Sequence, residues 1–145
     1  MKHYIGIFLF SFFMFAFYSC GDDELSPSPK SFSKNIISRP EVKVTSHYAN
    51  GTYDGWYVIG TVTTGDDNPN NVECYLEWSK FTKKQTGTVS LINKSRMKVT
   101  NSSSSRVQFK IEHAGVNKGN YIYYRMVGSN SKYTSSTSTT YMVAN

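Results

Sequence analysis

From Arg39 to the C-terminus, the hydrophobic pattern alternates with a period of two residues, and no segment sustains the 3.6-residue repeat of an amphipathic helix. Such alternation is typical of strands that bury one face. The clearest run has Val107, Phe109 and Ile111 between polar neighbours. Five further runs place apolar residues or glycine on one face of a predicted strand. In chain order these are Val42, Val44 and Tyr48; Trp56, Val58, Gly60 and Val62; Val72, Cys74, Leu76 and Trp78; Val89 and Leu91; and Met97 and Val99.

Turn signals separate these runs. Asn50-Gly51 and Asp54-Gly55 offer residues that accept positive φ, and Gly115 and Gly119-Asn120 precede a run from Tyr121 to Asn130. A Ser/Thr-rich strand then ends at Tyr141-Met142-Val143. Short strands with frequent turns predict an all-β protein, with a single antiparallel β-sandwich of seven or eight strands over residues 39–145.

The N-terminus has a different character. Met1-Lys2-His3 is basic, and the segment from Tyr4 to Tyr18 is almost wholly apolar. It is shorter than the about 20 residues that a spanning helix needs, which predicts a cleaved signal peptide over residues 1–19. The alternative is a short anchor that is retained.

The end of this segment, Phe17-Tyr18-Ser19-Cys20, resembles the lipobox of bacterial lipoproteins, although Tyr18 replaces the usual small or aliphatic residue. The resemblance implies cleavage before Cys20 and acylation of its thiol. Two or three acyl chains hold a protein on a membrane for practical purposes, whereas one chain holds only marginally.

The next residues, Asp22-Asp23-Glu24, resemble the export tag of Bacteroidetes-type lipoproteins. That resemblance implies a lipid-anchored protein of the outer membrane that is exposed on the cell surface. The periplasmic face is the alternative location.

Residues 20–38 contain Pro27, Pro29 and several serines but few large apolar groups, which predicts a lipidated, disordered linker. The linker holds the domain of residues 39–145 clear of the headgroups.

Two segments of that domain resemble fibronectin type III-like domains of bacterial surface lipoproteins. Residues 56–65 (WYVIGTVTTG) resemble the second strand of that family with its turn, and residues 123–130 (YYRMVGSN) resemble the sixth strand. Ile122 stands where the family often has its corner tyrosine. An immunoglobulin-like or transthyretin-like sandwich is the alternative.

The formal net charge is +6. In the cytosol this excess would favour nucleic acid, but outside the cell we expect anionic glycans, lipid headgroups or a merely solvated surface, and no nucleic acid. If Cys20 carries lipid, Cys74 has no partner for an intrachain disulfide. Its place on an apolar strand face predicts an inert, buried thiol.

Motifs for catalysis or cofactor binding are absent from the sequence, so we expect no enzymatic activity, no cofactor and no metal. His47 is expected to face outward, and His113 ends a strand; neither lies in a catalytic signature. Four residues follow the spacing of a calcium loop, but Asn71 replaces its glycine, which favours a polar turn. These four residues are Asp66, Asn68, Asn70 and Glu77.

The candidate ligand-binding face consists of Tyr75, Tyr121, Tyr123 and Arg125, because inward Leu76, Ile122 and Tyr124 require these neighbours to point outward. Arg125 is expected opposite Glu73 or Glu77. Exposed aromatic residues favour interfaces and stack on sugars. The alternative is ordinary cross-strand pairing that stabilises the sheet.

Two loops are further candidates. One carries Phe81, Lys83 and Lys84, and the other carries Lys132 and Tyr133. The alternative is that both are solvated loops without a ligand.

The sequence therefore predicts a membrane-anchored, non-catalytic binding or adhesion module for a glycan or an envelope protein. One alternative is a structural accessory subunit of an envelope assembly, which would offer residues 135–140 as a sheet edge. Another is an inhibitor of an extracellular hydrolase.

Overall fold

A computed structural model describes residues 37–65 and 71–145. The predicted signal peptide, the lipid site at Cys20 and nearly all of the predicted linker lie outside the described residues. Within them the chain forms nine strands: β1 (Glu41–Asn50), β2 (Gly55–Thr63), β3 (Glu73–Phe81), β4 (Asn93–Arg96), β5 (Lys98–Ser102), β6 (Arg106–Ala114), β7 (Tyr121–Ser129), β8 (Thr134–Ser136) and β9 (Thr140–Val143).

The strands form two antiparallel sheets, which confirms the predicted all-β sandwich. The first sheet has the order β1-β2-β6-β5. The second has the order β4-β3-β7-β8, and β9 also pairs with β7. In the usual lettering, β4 is strand C′, β8 and β9 together are strand G, and the remaining strands are A to F in chain order. The first sheet is then ABED and the second is C′CFG, which is the immunoglobulin constant-type order with one added edge strand, β4.

The core lies between the sheets and follows the alternation of the sequence. Val58, Val62 and Phe109 enter it from the first sheet, and Leu76 and Met126 enter it from the second. Gly60 and Gly128 each face side chains of the opposite sheet, with no room for a Cβ atom. A Cβ atom on Gly60 would lie 2.8 Å from the Lys43 carbonyl oxygen, and one on Gly128 would lie 2.9 Å from Val42 Cγ2. Only glycine fits at these two positions without a shift of neighbouring atoms.

The orientation of the second half of β1 differs from the prediction. The register with β2 shifts between Val44 and Ser46, so Thr45 is an extra residue. Because side chains alternate along a strand, one extra residue exchanges the two faces beyond it. Tyr48, expected to face inward, is therefore 46% exposed, whereas Ala49 is buried. His47, expected to face outward, reaches Tyr124 on the opposite sheet.

The pattern at Val89 and Leu91 does not form a strand. Residues 82–92, which we call the covering segment, instead lie against the outer face of the second sheet. Ser79 Oγ donates a hydrogen bond to the Ser90 carbonyl (2.9 Å) and accepts one from the Ile92 amide (2.9 Å). A side chain thus satisfies backbone groups that a strand ladder would otherwise pair.

The predicted Ser/Thr-rich last strand is divided into β8 and β9, and both pair with β7. At the break, the Met126 amide donates to Thr137 Oγ1 and the Thr137 amide donates to the Met126 carbonyl, each over 3.0 Å. A threonine side chain replaces one rung of the ladder there, which lets the chain change register.

Candidate functional site on the outer face of the second sheet

The register of β3 and β7 places the predicted face residues on one side of the sheet. Glu77 lies opposite Arg125, as expected, and Arg125 Nε donates to Glu77 Oε2 over 2.6 Å. Tyr121 lies opposite Phe81, and Tyr75 lies opposite Val127. Whether these residues bind a ligand remains a prediction, but their common orientation follows from the register.

Tyr123 is not an exposed ring. Its relative exposure is 6% because the covering segment and two aromatic neighbours enclose it. The Tyr123 hydroxyl accepts a hydrogen bond from the Gln85 amide (2.9 Å) and donates to the Gln85 carbonyl (3.3 Å). The expectation of exposure at Tyr123 is wrong, since alternation gives the side of the sheet but not what a loop places over it.

Tyr123 instead supports a group of rings that we call the aromatic cluster: Phe81, Tyr121, Tyr123 and Tyr141. Tyr141 lies at its centre, with ring centroids 5.1 Å from Tyr123 and 5.9 Å from Tyr121. Phe81 meets Tyr123 edge to face at 5.7 Å. Tyr141 is the ring most open to solvent, at 37% exposure.

Lys84, from the covering segment, lies over the aromatic cluster. Its Nζ is 5.4 Å from the centroid of the Tyr141 ring, a distance typical of a cation–π contact. Hydrogen bonding with Tyr141 raises the pKa of Lys84, so its ammonium is charged at neutral pH. Lys83 is exposed beside it. The cluster thus combines an open ring with a cationic donor, and joins residues predicted on the sheet face with residues predicted on a loop.

Tyr75 belongs to a separate group on the same face. It lies four residues along the sheet from the Tyr123 row, which is about 13 Å in a strand. The Lys94 Nζ is 4.5 Å from its ring centroid, and its hydroxyl donates to Glu73 Oε2 over 3.1 Å. That hydrogen bond raises the pKa of Tyr75. The Arg125–Glu77 ion pair divides Tyr75 from the aromatic cluster.

The second predicted loop lies at the other end of the sandwich, because it follows Ser129 whereas the cluster surrounds Tyr121 at the start of β7. Asn130 Oδ1 accepts hydrogen bonds from the amides of Lys132 (3.0 Å) and Tyr133 (2.8 Å). Both Arg39 and Lys132 approach the Tyr133 ring, at 5.3 and 5.2 Å. A single ligand of ordinary size therefore does not contact both loops.

Two features were missed by the sequence analysis. Tyr141 was placed in the last strand without a role, although its spacing in a Thr-rich edge strand could have marked it as an exposed ring. On the first sheet, Tyr48 stacks on Tyr57 at 5.7 Å because the bulge at Thr45 turns Tyr48 outward.

The predicted buried thiol is confirmed. Cys74 is 1% exposed, its Sγ contacts Met97 Sδ at 3.6 Å, and burial raises the pKa of the thiol to about 12.

Three of the calcium-loop positions, Asp66, Asn68 and Asn70, lie outside the described residues. Glu77 pairs with Arg125. Within residues 37–65 and 71–145, no three His, Cys, Asp or Glu side chains group as metal ligands would.

His113 packs against two tryptophans, whose ring centroids are 5.0 Å from each other. Its ring centroid is 4.8 Å from that of Trp56 and 5.0 Å from that of Trp78. Desolvation lowers the pKa of His113, which favours its neutral form.

A membrane-spanning helix is not found among residues 37–65 and 71–145.

Comparison with known proteins gives a likeness of fold. No family model matches the sequence, and no curated protein matches it. A solved structure of a cycloalternan-forming enzyme from Listeria monocytogenes, in complex with a pentasaccharide substrate, is similar to 69% of this chain with a TM-score of 0.53 and 14% sequence identity. The match covers 9% of the enzyme chain, so this protein resembles a small part of that enzyme.

Proposed function

We propose that this protein is a non-catalytic glycan-binding module, held by lipid on Cys20 at the outer membrane and displayed on the cell surface. The observation that carries the proposal is the aromatic cluster, in which a partly exposed tyrosine ring is held by its neighbours with a lysine ammonium beside it.

The geometry suits a sugar ring. Tyr141 offers an exposed apolar face, and stacking of C–H groups on such a face is a common way to bind sugars. Lys84 provides donors for sugar hydroxyls at the edge of that face. Tyr121 and Tyr123 hold the Tyr141 ring in place, which lowers the entropy lost on binding.

The likeness of fold supports the same class of function in a limited way. The enzyme that contains a similar region binds a pentasaccharide. The match covers 9% of that enzyme chain, so the likeness concerns a small part of the enzyme.

The accessory-subunit alternative depends on the edge formed by residues 135–140. β8 and β9 are three and four residues long. Such short edge strands are a poor template for the addition of a partner strand. The glycan proposal is therefore favoured over strand addition at this edge.

The lipid anchor is tested separately from the sugar site. We expect mass spectrometry of the mature protein to find an N-terminal Cys20 that carries acyl chains. We expect Cys20→Ser to release the protein into the soluble fraction. An intact Met1 or an unmodified thiol would contradict the anchor and would leave the glycan test unaffected.

Glycan binding is tested by affinity electrophoresis of the Cys20→Ser chain, residues 20–145, through gels that contain single neutral polysaccharides such as dextran, xylan or mannan. We expect retardation in at least one gel and its loss in Tyr141→Ala. Tyr53→Ala is the matched control, because Tyr53 is 83% exposed on the turn between β1 and β2. Equal loss in both variants, or no retardation by any polysaccharide, would contradict the proposal.

A further inference from the structure

We propose that a groove between β4 and β5, away from the aromatic cluster, binds the acidic groups of an anionic glycan. This site goes beyond the neutral-sugar site proposed above. β4 and β5 are the edge strands on one side of the sandwich, whereas Tyr141 lies on the opposite edge of the second sheet.

The groove lies at the edge of the sandwich, between β4 of the second sheet and β5 of the first sheet. Its lining comes from Ser95 and Arg96 of β4, Lys98 and Thr100 of β5, and residues 110–113 of β6, which include Lys110 and Glu112. Its volume of about 380 Å³ accommodates one or two sugar residues. It is thus a concave surface made by three strands.

The charge of the groove is unbalanced. Lys98 lies directly opposite Lys110 in the ladder, and like charges so placed destabilise a sheet. Glu112 forms an ion pair with Lys110 at 2.7 Å, and Glu73 forms one with Arg96 at 3.2 Å. In the described part of the chain, no carboxylate lies within ion-pair distance of Lys98.

A bound anion offers a physical role for this arrangement. A carboxylate or sulfate at Lys98 would give this ammonium the anionic partner that it lacks and would offset its repulsion from Lys110 across the ladder. The Lys110 ammonium lies 2.7 Å from Glu112 Oε1 and 5.4 Å from the centroid of the Tyr57 ring on β2, so Lys98 is the main charged contact for such an anion.

Polar atoms beside the lysines fit a hydroxyl-rich ligand. Ser95 Oγ accepts a hydrogen bond from Trp78 Nε1 (3.1 Å), which leaves its own proton to donate. His113 also lines the groove, with its ring packed against Trp56 and Trp78. Cations beside hydroxyl and imidazole groups match an acidic sugar, which presents both charge and hydroxyls.

The test measures binding of polygalacturonate, heparin and dextran to the Cys20→Ser chain, residues 20–145, by tryptophan fluorescence. Trp78 reports on the groove through its hydrogen bond to Ser95. We expect binding of polygalacturonate or heparin that weakens as salt is raised, and no binding of dextran in this groove. Polygalacturonate alone would identify carboxylate as the ligand group, and heparin alone would identify sulfate.

Variants separate a built site from general attraction to positive charge. We expect Lys98→Gln/Lys110→Gln to weaken binding about tenfold or more, because the contact with Lys98 and the positive charge of both groups are lost. Lys43→Gln/Lys118→Gln removes the same charge from exposed positions outside the groove and should change affinity less than threefold. Thermal melts of both variants confirm folding.

Equal weakening by the two double variants, or no binding of either acidic polymer, would overturn the proposal. Failure here removes salt-dependent binding of the acidic polymers, whereas failure of the neutral-glycan site removes retardation by neutral polysaccharides, so the two failures are distinguishable.

Discussion

The imidazole Nδ1 of His47 is hydrogen-bonded to the hydroxyl of Tyr124 across the two sheets, and the two rings meet edge to face at 5.8 Å. Tyr124 is completely buried, and burial raises its pKa to about 12. His47 therefore satisfies a hydroxyl that has no access to water. The bulge at Thr45 is what brings His47 to this side of β1.

We predict that His47→Ala destabilises the fold by about 1–3 kcal/mol, since it leaves a buried hydroxyl without a partner. Urea unfolding of the Cys20→Ser chain measures this loss. In Tyr124→Phe, the histidine that remains is exposed and can bind water. That variant should therefore lose less, about 0.5–1.5 kcal/mol.

The double variant His47→Ala/Tyr124→Phe is the decisive control. It removes both polar partners and should be more stable than His47→Ala alone. A double variant that is less stable than either single variant would show that the hydrogen bond is not the source of the effect.

Local alternation was enough to predict the fold class and the core strands, whereas for Arg125 it left Glu73 and Glu77 as alternative partners, of which Glu77 is the one observed. It failed at Tyr48 and His47, since one extra residue at position 45 reverses both faces and leaves no signature in hydrophobicity. The Val89–Leu91 pattern misled for a different reason: both residues are half-buried in a segment that lies against the sheet, and such residues alternate with exposed neighbours as they would in a strand.

Gly60 provides a test of the packing between the sheets. We predict that Gly60→Ala destabilises the protein by about 1–3 kcal/mol, because the new methyl group would overlap Met126 and approach the Lys43 carbonyl oxygen at 2.8 Å. Gly55→Ala is the control, since its Cβ would have only ordinary contacts at 3.7 Å. It should change the free energy of unfolding by less than about 0.5 kcal/mol. Equal effects would contradict this account of the packing.

Cys74 is expected to be chemically inert in the folded protein. Burial raises the pKa of its thiol from 9.0 to about 12, which lowers the reactive thiolate fraction about 1,000-fold. In the Cys20→Ser chain, reaction with an aromatic disulfide reagent should be at least about 1,000-fold slower in buffer than in concentrated urea at the same pH. Comparable rates would show that the thiol is accessible in the native state.

His113 gives the fold a dependence on pH. Its pKa is lowered from the ordinary 6.5 by desolvation, so the unfolded chain binds a proton at a higher pH than the folded chain does. This contribution to stability is present above pH 6.5 and is lost as the pH falls below it. His113→Phe should therefore reduce the fall in melting temperature between pH 7 and pH 5. An unchanged pH dependence would contradict this role.

The candidate site was predictable only in part. Tyr121, Phe81 and Lys84 were named from alternation and loop composition, but their proximity depends on long-range pairing of β3, β7 and β9. Tyr123 was expected to be exposed, and no local pattern indicates that Gln85 caps its hydroxyl. Tyr141 joins the cluster through pairing of β9 with β7, which the sequence does not specify.

The central claim is that the aromatic cluster is the neutral-sugar site. Its most direct test is an NMR titration of the ¹⁵N-labelled Cys20→Ser chain, residues 20–145, with oligosaccharides cut from the polysaccharide that retards the protein most strongly. We predict that the largest amide shift changes occur at Lys84, Tyr121 and Tyr141. Largest changes around Tyr48 and Tyr57, or in the loop at Lys132 and Tyr133, would contradict the claim.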